Sequence, residues 1–374
     1  MTISKLECWV FRAPIEVPVA TAFGTMTNRP ALFLRVSASD GAWGWGEVFC
    51  NFPQVGAEHR ARLIDSMFTP LLQGSPSNDP PRLRERLEEQ TRCMAIQCGE
   101  PGPFAQIIGA VDQALWDLAG RRAGLPLWKL LAPGPDEGGN RVRVYASGLG
   151  PDRVAETALR KKAEGFAAFK FKVGFTAERD KANFAEIRAA LGNEAVIMVD
   201  ANQAWSPGTA AQHIADLAPF NPYWVEEPLA ADEPASQWRE LATQCGLPLA
   251  AGENLRGVGA FEEALAAGYL AFIQPDVAKW GGISACRDVA LLARRRKVVF
   301  CPHWLGGGIG LAASLHLRAA MGPEGYAEVD ANPNPLRDEV FSSSPRDGWV
   351  TLADAPGLGV EPDLARLSAY LTAH

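Results

Sequence analysis

AAFKFKVG (residues 167–174) and VIMVDANQ (196–203) share one form: a short apolar run that ends on a polar residue, Lys172 in the first and Asp200 in the second. The same form returns in YWVEEP (223–228), PLAAGEN (248–254), LAFIQPD (270–276), VVFCPH (298–303) and YAEVD (326–330), with Glu226, Glu253, Asp276, His303 and Glu328 as the polar residues. Successive polar residues are 28, 26, 27, 23, 27 and 25 positions apart. A strand with its crossover helix takes such a length, since a whole βαβ motif needs roughly 30 residues or more. One functional group therefore ends each strand. Where parallel strands alternate with helices and close into a barrel, their carboxyl ends converge on the face that holds the active site. Seven groups remote in sequence are thus expected in one pocket.

The chain of 374 residues exceeds one ordinary core, so two domains are expected. With 36 Lys and Arg against 43 Asp and Glu, the net charge of −7 and the lack of a basic run argue against a nucleic-acid partner. Seven cysteines (Cys8, Cys50, Cys93, Cys98, Cys245, Cys286, Cys301) are odd in number and scattered, and read as packing residues in a reducing compartment. The first residues, MTISKLECWVFRAPIE, carry Glu and Arg where a signal peptide needs an apolar stretch, and no run of 18 apolar residues marks a membrane span. A soluble cytoplasmic enzyme without a membrane partner is expected.

Organisation changes near residue 135. Upstream, WVFRA (9–13), ALFLRVSA (31–38) and GWGEVF (44–49) read as antiparallel strands, with a turn at Ser39-Asp40-Gly41. Helical stretches follow at 59–72, 81–95 and 104–124, the last with Gly124 placed as its stop. Residues 1–134 are thus expected to form an α+β unit, and APGPDEGGN (132–140) a linker. From RVRVYASG (141–148) strand and helix alternate, which calls for a parallel sheet covered on both faces and sets residues 135–344 as a barrel. Residues 345–374 carry no further repeat and are expected to pack back on the first unit.

Alternation along a strand points Lys170 and Lys172 to one side and Phe171 to the other. Two inward lysines repel each other, and partial burial adds to that, so a lowered lysine pKa suited to a base is expected. Asp200, Glu226 and Glu253 repel one another unless a cation joins them. Oxygen ligands without His or Cys suit Mg²⁺. Glu227 should point outward if Glu226 points in. Asp276 and His303 end neighbouring strands, where a carboxylate fixes the imidazole tautomer and raises its basicity.

These motifs resemble the enolase superfamily and, within it, the mandelate racemase subgroup. The resemblance covers nearly the whole chain and rests on KFK (Lys170, Lys172), VDAN (Asp200), EEP (Glu226), GEN (Glu253), PDVAKWGG (Asp276), PHW (His303) and AEVD (Glu328). It implies a (β/α)7β TIM-like barrel with an N-terminal α+β capping domain. It further implies Mg²⁺ on Asp200, Glu226 and Glu253, Lys172 as base on one face of a carboxylic acid substrate, and the His303/Asp276 dyad on the other. Lys170 and Glu328 would contact the substrate carboxylate and its developing enediolate, and a homo-oligomer is expected. In the muconate cycloisomerase and dipeptide epimerase branches a catalytic lysine stands three residues before the lysine of the KxGG segment. Here Asp276 stands three before Lys279, which favours the dyad.

The resemblance leaves two outcomes open. If His303 protonates a leaving β-hydroxyl, the enzyme is a sugar acid dehydratase; if it returns a proton to the α-carbon, a racemase or epimerase. Dehydration is the favoured expectation, because most members with the dyad that resemble this chain dehydrate sugar acids. In this family loops of the capping domain close the barrel mouth, here FGTMTNR (23–29) and FCNFP (49–53). Arg29 and Asn51 are candidates for hydroxyls or a distal carboxylate, and Phe23, Phe49, Phe52 and Trp304 for an apolar wall. Asn202 and Lys279 complete the candidate substrate contacts, with Asn332 or Arg337 from NPNPLRDE. The run Gly306 to Gly310 lacks the Gly-Lys-Ser/Thr ending of a phosphate loop and reads as a turn or a close backbone approach. A zinc hydrolase would place two histidines on the first barrel strand, and VRVYASG has none. A non-catalytic relative would have lost a ligand or base, and none is missing.

Overall fold

The computed structural model describes residues 1–21, 24–134 and 137–372. It begins with an antiparallel sheet of β1 (Ile3–Thr21), β2 (Gly24–Ala38) and β3 (Trp43–Val48). Strands β1 and β2 outrun the apolar stretches of the sequence, with pairing that continues to Thr21 opposite Gly24. Residues 14–19 of that hairpin are half-buried to exposed, so no buried face marks them as strand. Helix α1 (Gly56–Leu63) passes through a π segment into α2 (Thr69–Leu72), and α3 (Pro80–Gln97), α4 (Pro101–Ala123) and α5 (Leu127–Leu131) follow. Gly124, at φ 64°, ends α4 in the left-handed conformation expected of a helix stop. Helix α4 lies directly on β3. A Cβ at Gly44 or Gly46 would stand 2.0 Å from the Ala114 or Ala110 carbonyl oxygen, so the alternate glycines of GWG are what let helix and strand touch.

From β4 (Arg141–Leu149) the chain alternates strictly. It runs through α6 (Val154–Ala163), β5 (Ala168–Lys172), α7 (Ala177–Leu191), β6 (Val196–Asp200), α8 (Pro207–Leu217), β7 (Val225–Glu226) and α9 (Ala235–Cys245). It continues through β8 (Leu249–Ala251), α10 (Val258–Ala267), β9 (Phe272–Ile273), α11 (Gly282–Arg296), β10 (Val299–Phe300), α12 (Gly308–Ala320) and β11 (Ala327–Asp330). The strands lie parallel in the order β10-β9-β8-β7-β6-β5-β4-β11, which is the (β/α)7β arrangement. Among the described residues no ladder joins β10 to β11. Side chains bridge that seam instead: Cys301 Sγ accepts from the Tyr326 amide at 3.3 Å, and Glu328 accepts from the Trp304 amide at 3.2 Å.

Tyr145, Ala168, Met198, Trp224, Ala250, Phe272 and Cys301 form a separate buried cluster inside the barrel, large beside small. Two residues farther along their strands come Ser147, Lys170, Asp200, Glu226, Gln274 and His303, all on the same inward face. The apolar layer thus floors the polar one. Phe171 points the opposite way and meets Phe184 of α7, with ring centroids 5.1 Å apart.

After β11 come α13 (Pro335–Asp338), β12 (Trp349–Thr351), α14 (Leu364–Leu367) and β13 (Leu371–Thr372). Strand β12 pairs with the start of β4 and β13 with β1, so the tail touches both units. Asp117 of α4 holds it, accepting from the amides of Leu358 at 2.7 Å and Trp45 at 2.9 Å. No helix among the described residues is long and apolar enough to cross a membrane.

Candidate active site

The polar layer is a network of alternating charge. Lys170 is wholly buried and donates to Glu226, with Glu328 at 3.0 Å and Asp200 at 3.6 Å. Lys172 donates to Asp200 at 2.7 Å. Glu226 also accepts from Trp224 Nε1 at 3.0 Å and Gln274 Nε2 at 2.6 Å, while Ser147 donates to Glu328. His303 Nδ1 lies 2.5 Å from Asp276, whose other oxygen accepts from the Ala278 amide at 2.7 Å and the Lys279 amide at 3.1 Å. His303 Nε2 meets Glu253, which also takes Lys279 Nζ at 3.2 Å.

Glu253 reaches this face only because the chain turns irregularly at Gly252. With Ala250 inward, alternation would bring residue 252 to the site. Gly252 instead adopts φ 146°, and a Cβ there would stand 2.7 Å from the Gln274 amide nitrogen, which leaves glycine as the residue that fits. The next strand end corrects an expectation. Glu227 does not point outward: at φ 40° it has left strand geometry, is 1 % exposed, and accepts from Asn254 Nδ2 at 2.9 and 3.0 Å.

The lysines also differ from expectation. Burial opposes the charge on Lys170, but Glu226, Glu328 and Asp200 outweigh it and raise its pKa well above the usual value. Burial likewise opposes the charge on Lys172, yet Asp200 raises its pKa in spite of Lys170. Strand alternation brings the lysines together, but the fold interleaves Asp200, Glu226 and Glu328 with them. For His303, burial is overcome by Glu253, Glu328 and Asp276, which carry it to about 10. Burial pushes Glu226 upward against the pull of Lys170, and like charges on Asp200, Glu328 and Glu253 add to that push.

Above the network opens a cavity of about 610 Å³. Lys172, Asn202, Glu253, Lys279 and His303 line its barrel side, and Phe49, Phe52, Pro101, Gly102, Pro103 and Gln106 its capping side. Gln203, Asn254 and Arg256 also reach it. Signals for two of these were present, since Gln203 follows Asn202 in VDANQ and Arg256 stands three residues after Glu253. Gln106 had none, being one polar residue on a long helix.

Five candidate substrate contacts, Arg29, Asn51, Trp304, Asn332 and Arg337, do not line the cavity. Arg29 is 2 % exposed and is bound to Asp330 and, at 3.2 Å, to the Pro333 carbonyl. Asn51 donates to the Leu305 carbonyl at 2.7 Å, and Trp304, 1 % exposed, donates to the Gly307 carbonyl at 3.0 Å. These three join the capping unit or a glycine loop to the barrel instead of facing the cavity. Arg337 donates to the Asp330 carbonyl at 2.6 Å and Asn332 to the Gly148 carbonyl at 3.1 Å. Phe23 lies outside the described residues. The run Gly306 to Gly310 makes no approach to the cavity. The Gly307 amide, just before α12, and the Gly310 amide in its first turn donate to Glu47 at 2.5 and 2.9 Å, and Trp304 packs where a Cβ on Gly310 would stand.

Comparison with known proteins bears on the same residues. Residues 5–132 match the mandelate racemase / muconate lactonizing enzyme N-terminal domain, and 153–366 the enolase C-terminal domain-like family. The chain belongs to the mandelate racemase branch of the enolase superfamily. Two curated relatives of this family are similar over most of their length. D-galactarolactone cycloisomerase of Agrobacterium fabrum is 30 % identical over 99 % of both chains, and D-galactonate dehydratase of Verminephrobacter eiseniae 32 % identical over 88 % of both. Among solved structures, a mandelate racemase/muconate lactonizing enzyme of Bordetella bronchiseptica RB50 is 48 % identical with a TM-score of 0.92, each chain 99 % covered. A racemase of Streptomyces coelicolor with bound magnesium is 29 % identical with a TM-score of 0.88, covering 99 % of this chain and 100 % of that one.

Superfamily members bind Mg²⁺, and the donor chemistry here fits it. Asp200, Glu226 and Glu253 offer only oxygen, and Asn202 adds a buried side-chain oxygen without a hydrogen-bond partner beside Asp200. As the side chains stand, no three His, Cys, Asp or Glu among the described residues surround a common point. The carboxylates are held apart on Lys170, Lys172, Lys279 and His303.

Proposed function

We propose that this enzyme removes the proton α to the carboxylate of a sugar acid and eliminates the β-hydroxyl as water, giving a 2-keto-3-deoxy acid. One observation carries the reading: Lys172 and the Asp276-bound His303 line the same cavity beside the three carboxylates. Asp200, Glu226 and Glu253 would hold Mg²⁺, which supplies positive charge at the substrate carboxylate and so lowers the cost of the dianion formed there. Lys172, freed from the Asp200 charge that holds it as an ammonium, gives that proton to solvent and as the neutral amine takes the α-proton. Lys170, braced between Glu226 and Glu328, holds a fixed positive charge at the developing dianion, where it counts for more than in the ground state. Asp276 accepts the Nδ1–H and helps hold the ring as the imidazolium, whose Nε2 carries the second proton. His303 gives that proton to the β-hydroxyl, the C–O bond breaks, water leaves, and the resulting enol tautomerises to the keto acid.

The name of the Verminephrobacter relative supports dehydration. A second reading, isomerisation or racemisation, is favoured by the two bases on one cavity and by the cycloisomerase name of the Agrobacterium relative. A panel of aldonic and aldaric acids incubated with enzyme and Mg²⁺ separates them. Appearance of 2-keto acid supports dehydration. Interconversion of C2 epimers, or of lactone and acid forms, without keto acid sinks it.

A further inference from the structure

Part of the cavity lining is not used by the reaction chemistry. Arg256, in the turn after β8, is exposed and lines the cavity. Its Nη1 lies 3.1 Å from where a Cβ on Gly102 would stand, so the guanidinium rests on the first turn of α4. Among the described residues it has no hydrogen-bond or ion-pair partner. Gln106, four residues beyond Gly102 and so on the same face of α4, lines the cavity too. Its Oε1 accepts from Arg60 Nε at 2.6 Å. Gln203 is arranged alike, its Oε1 accepting from the Ala231 amide at 2.8 Å. Both partners are obligate donors, so neither amide can flip, and each is left with its NH₂ group to give.

One cation and two amide donors therefore line this cavity with donor hydrogens left to give. The carboxylate on the cavity wall, Glu253, is already taken by Lys279 and His303. Glu100, just before α4, is paired with His59 at 3.0 Å. Asn254 Oδ1 accepts from Lys279 at 3.2 Å and its Nδ2 is spent on Glu227 and Glu253. A hydroxyl would use such donors only in part, whereas a carboxylate, which accepts at two oxygens and carries charge, uses all of them.

We propose that Arg256, with Gln106 and Gln203, binds a second, terminal carboxylate, so that the substrate is a dicarboxylic sugar acid and Arg256 determines that specificity. The inference rests on the sugar acid reading of the same site. Since Arg256 is exposed and solvent screens its charge, the discrimination is roughly tenfold and not the far larger factors of closed sites.

The test compares wild type with Arg256→Met and Arg256→Lys, all with Mg²⁺. Turnover is measured on aldaric acids and on the aldonic acids of matching configuration, and calorimetry follows binding of adipate, hexanoate and a 6-phosphoaldonate. The expected result is a roughly tenfold preference for diacid in kcat/KM and in binding, erased by Arg256→Met, with monoacid values unchanged and partial recovery in Arg256→Lys. Equal affinity for adipate and hexanoate in wild type, or an equal loss on both in Arg256→Met, overturns the proposal. Tighter, Arg256-dependent binding of the phosphorylated acid than of the diacid overturns the choice of carboxylate. Arg256-dependent adipate binding without keto acid from any sugar acid refutes the dehydration reading alone; keto acid formed from aldonic acids with no effect of Arg256→Met refutes this proposal alone.

Discussion

Arg29 on β2 and Asp330 at the end of β11 form an ion pair in which both side chains are 2 % exposed. It joins the two units at the rim of the barrel, and Asp330 also accepts from the Asn332 amide at 3.0 Å. The arginine that the sequence offers as a substrate contact is thus a clamp.

Removing one partner of a buried pair leaves a charge without compensation, at a cost of about 3–5 kcal/mol. Arg29→Met is expected to lose stability on that order in denaturant unfolding, and Arg29→Met with Asp330→Asn to recover part of it. Substrate KM of the folded Arg29→Met enzyme should stay within about twofold of wild type, because Arg29 does not line the cavity. A large rise in KM at unchanged stability would return Arg29 to the substrate.

His316 gives a pH dependence remote from the reaction. It is buried in α12, accepts from the Trp128 amide at Nδ1 (3.1 Å) and hydrogen-bonds the Leu358 carbonyl through Nε2 (3.2 Å), an arrangement that only the neutral ring satisfies. Burial lowers its pKa to about 4 from 6.5. Between those values the unfolded chain takes up a proton that the folded chain does not. Stability is therefore full above pH 6.5 and falls as pH drops toward 4, by about 3 kcal/mol in all. His316→Gln offers the same donor and acceptor without titration. It should be less stable at pH 7 yet lose less between pH 7 and pH 5. Parallel curves for both proteins would refute the assignment.

The barrel was legible because each strand repeats one physical statement, an apolar run closed by a polar inward residue. The period was enough to gather Lys172, Asp200, Glu226, Glu253, Asp276, His303 and Glu328. What escaped depends on geometry without a sequence period. Glu227 is turned by a left-handed backbone, and Gly252 lets a neighbouring strand come close. Arg29, Asn51 and Trp304 are polar or aromatic residues near the mouth, and composition alone does not tell a clamp between units from a cavity wall. Which atoms of Gln106 and Gln203 are left to donate depends on Arg60 and Ala231, partners remote in sequence.

The three carboxylates and Mg²⁺ make a third expectation. Chelation should abolish turnover, and Mg²⁺ or Mn²⁺ should restore it where Zn²⁺ does not, since the ligands are all oxygen. Asp200→Asn removes one ligand and the partner of Lys172 together. Its activity should drop by roughly 100-fold or more, and metal titrated by calorimetry should bind more weakly, while circular dichroism stays that of the folded barrel. Full activity after exhaustive chelation would end the metal assignment.

The last expectation separates the two bases. Lys172 and His303 stand at the ends of β5 and just after β10, strands that are five apart in the sheet order, so their side chains enter the cavity from different sides. If Lys172 takes the α-proton and His303 serves the leaving hydroxyl, Lys172→Ala loses both turnover and exchange of the α-proton with deuterium from solvent. His303→Asn should lose turnover, by the roughly 10²–10⁴-fold that a general acid supplies, yet keep exchange. The pattern reverses if His303 is the abstracting base. Proton NMR of the substrate in D₂O reads both outcomes at once, as loss of the C2 proton signal and as growth of product. Exchange and turnover both surviving in Lys172→Ala and in His303→Asn would place the chemistry outside this network.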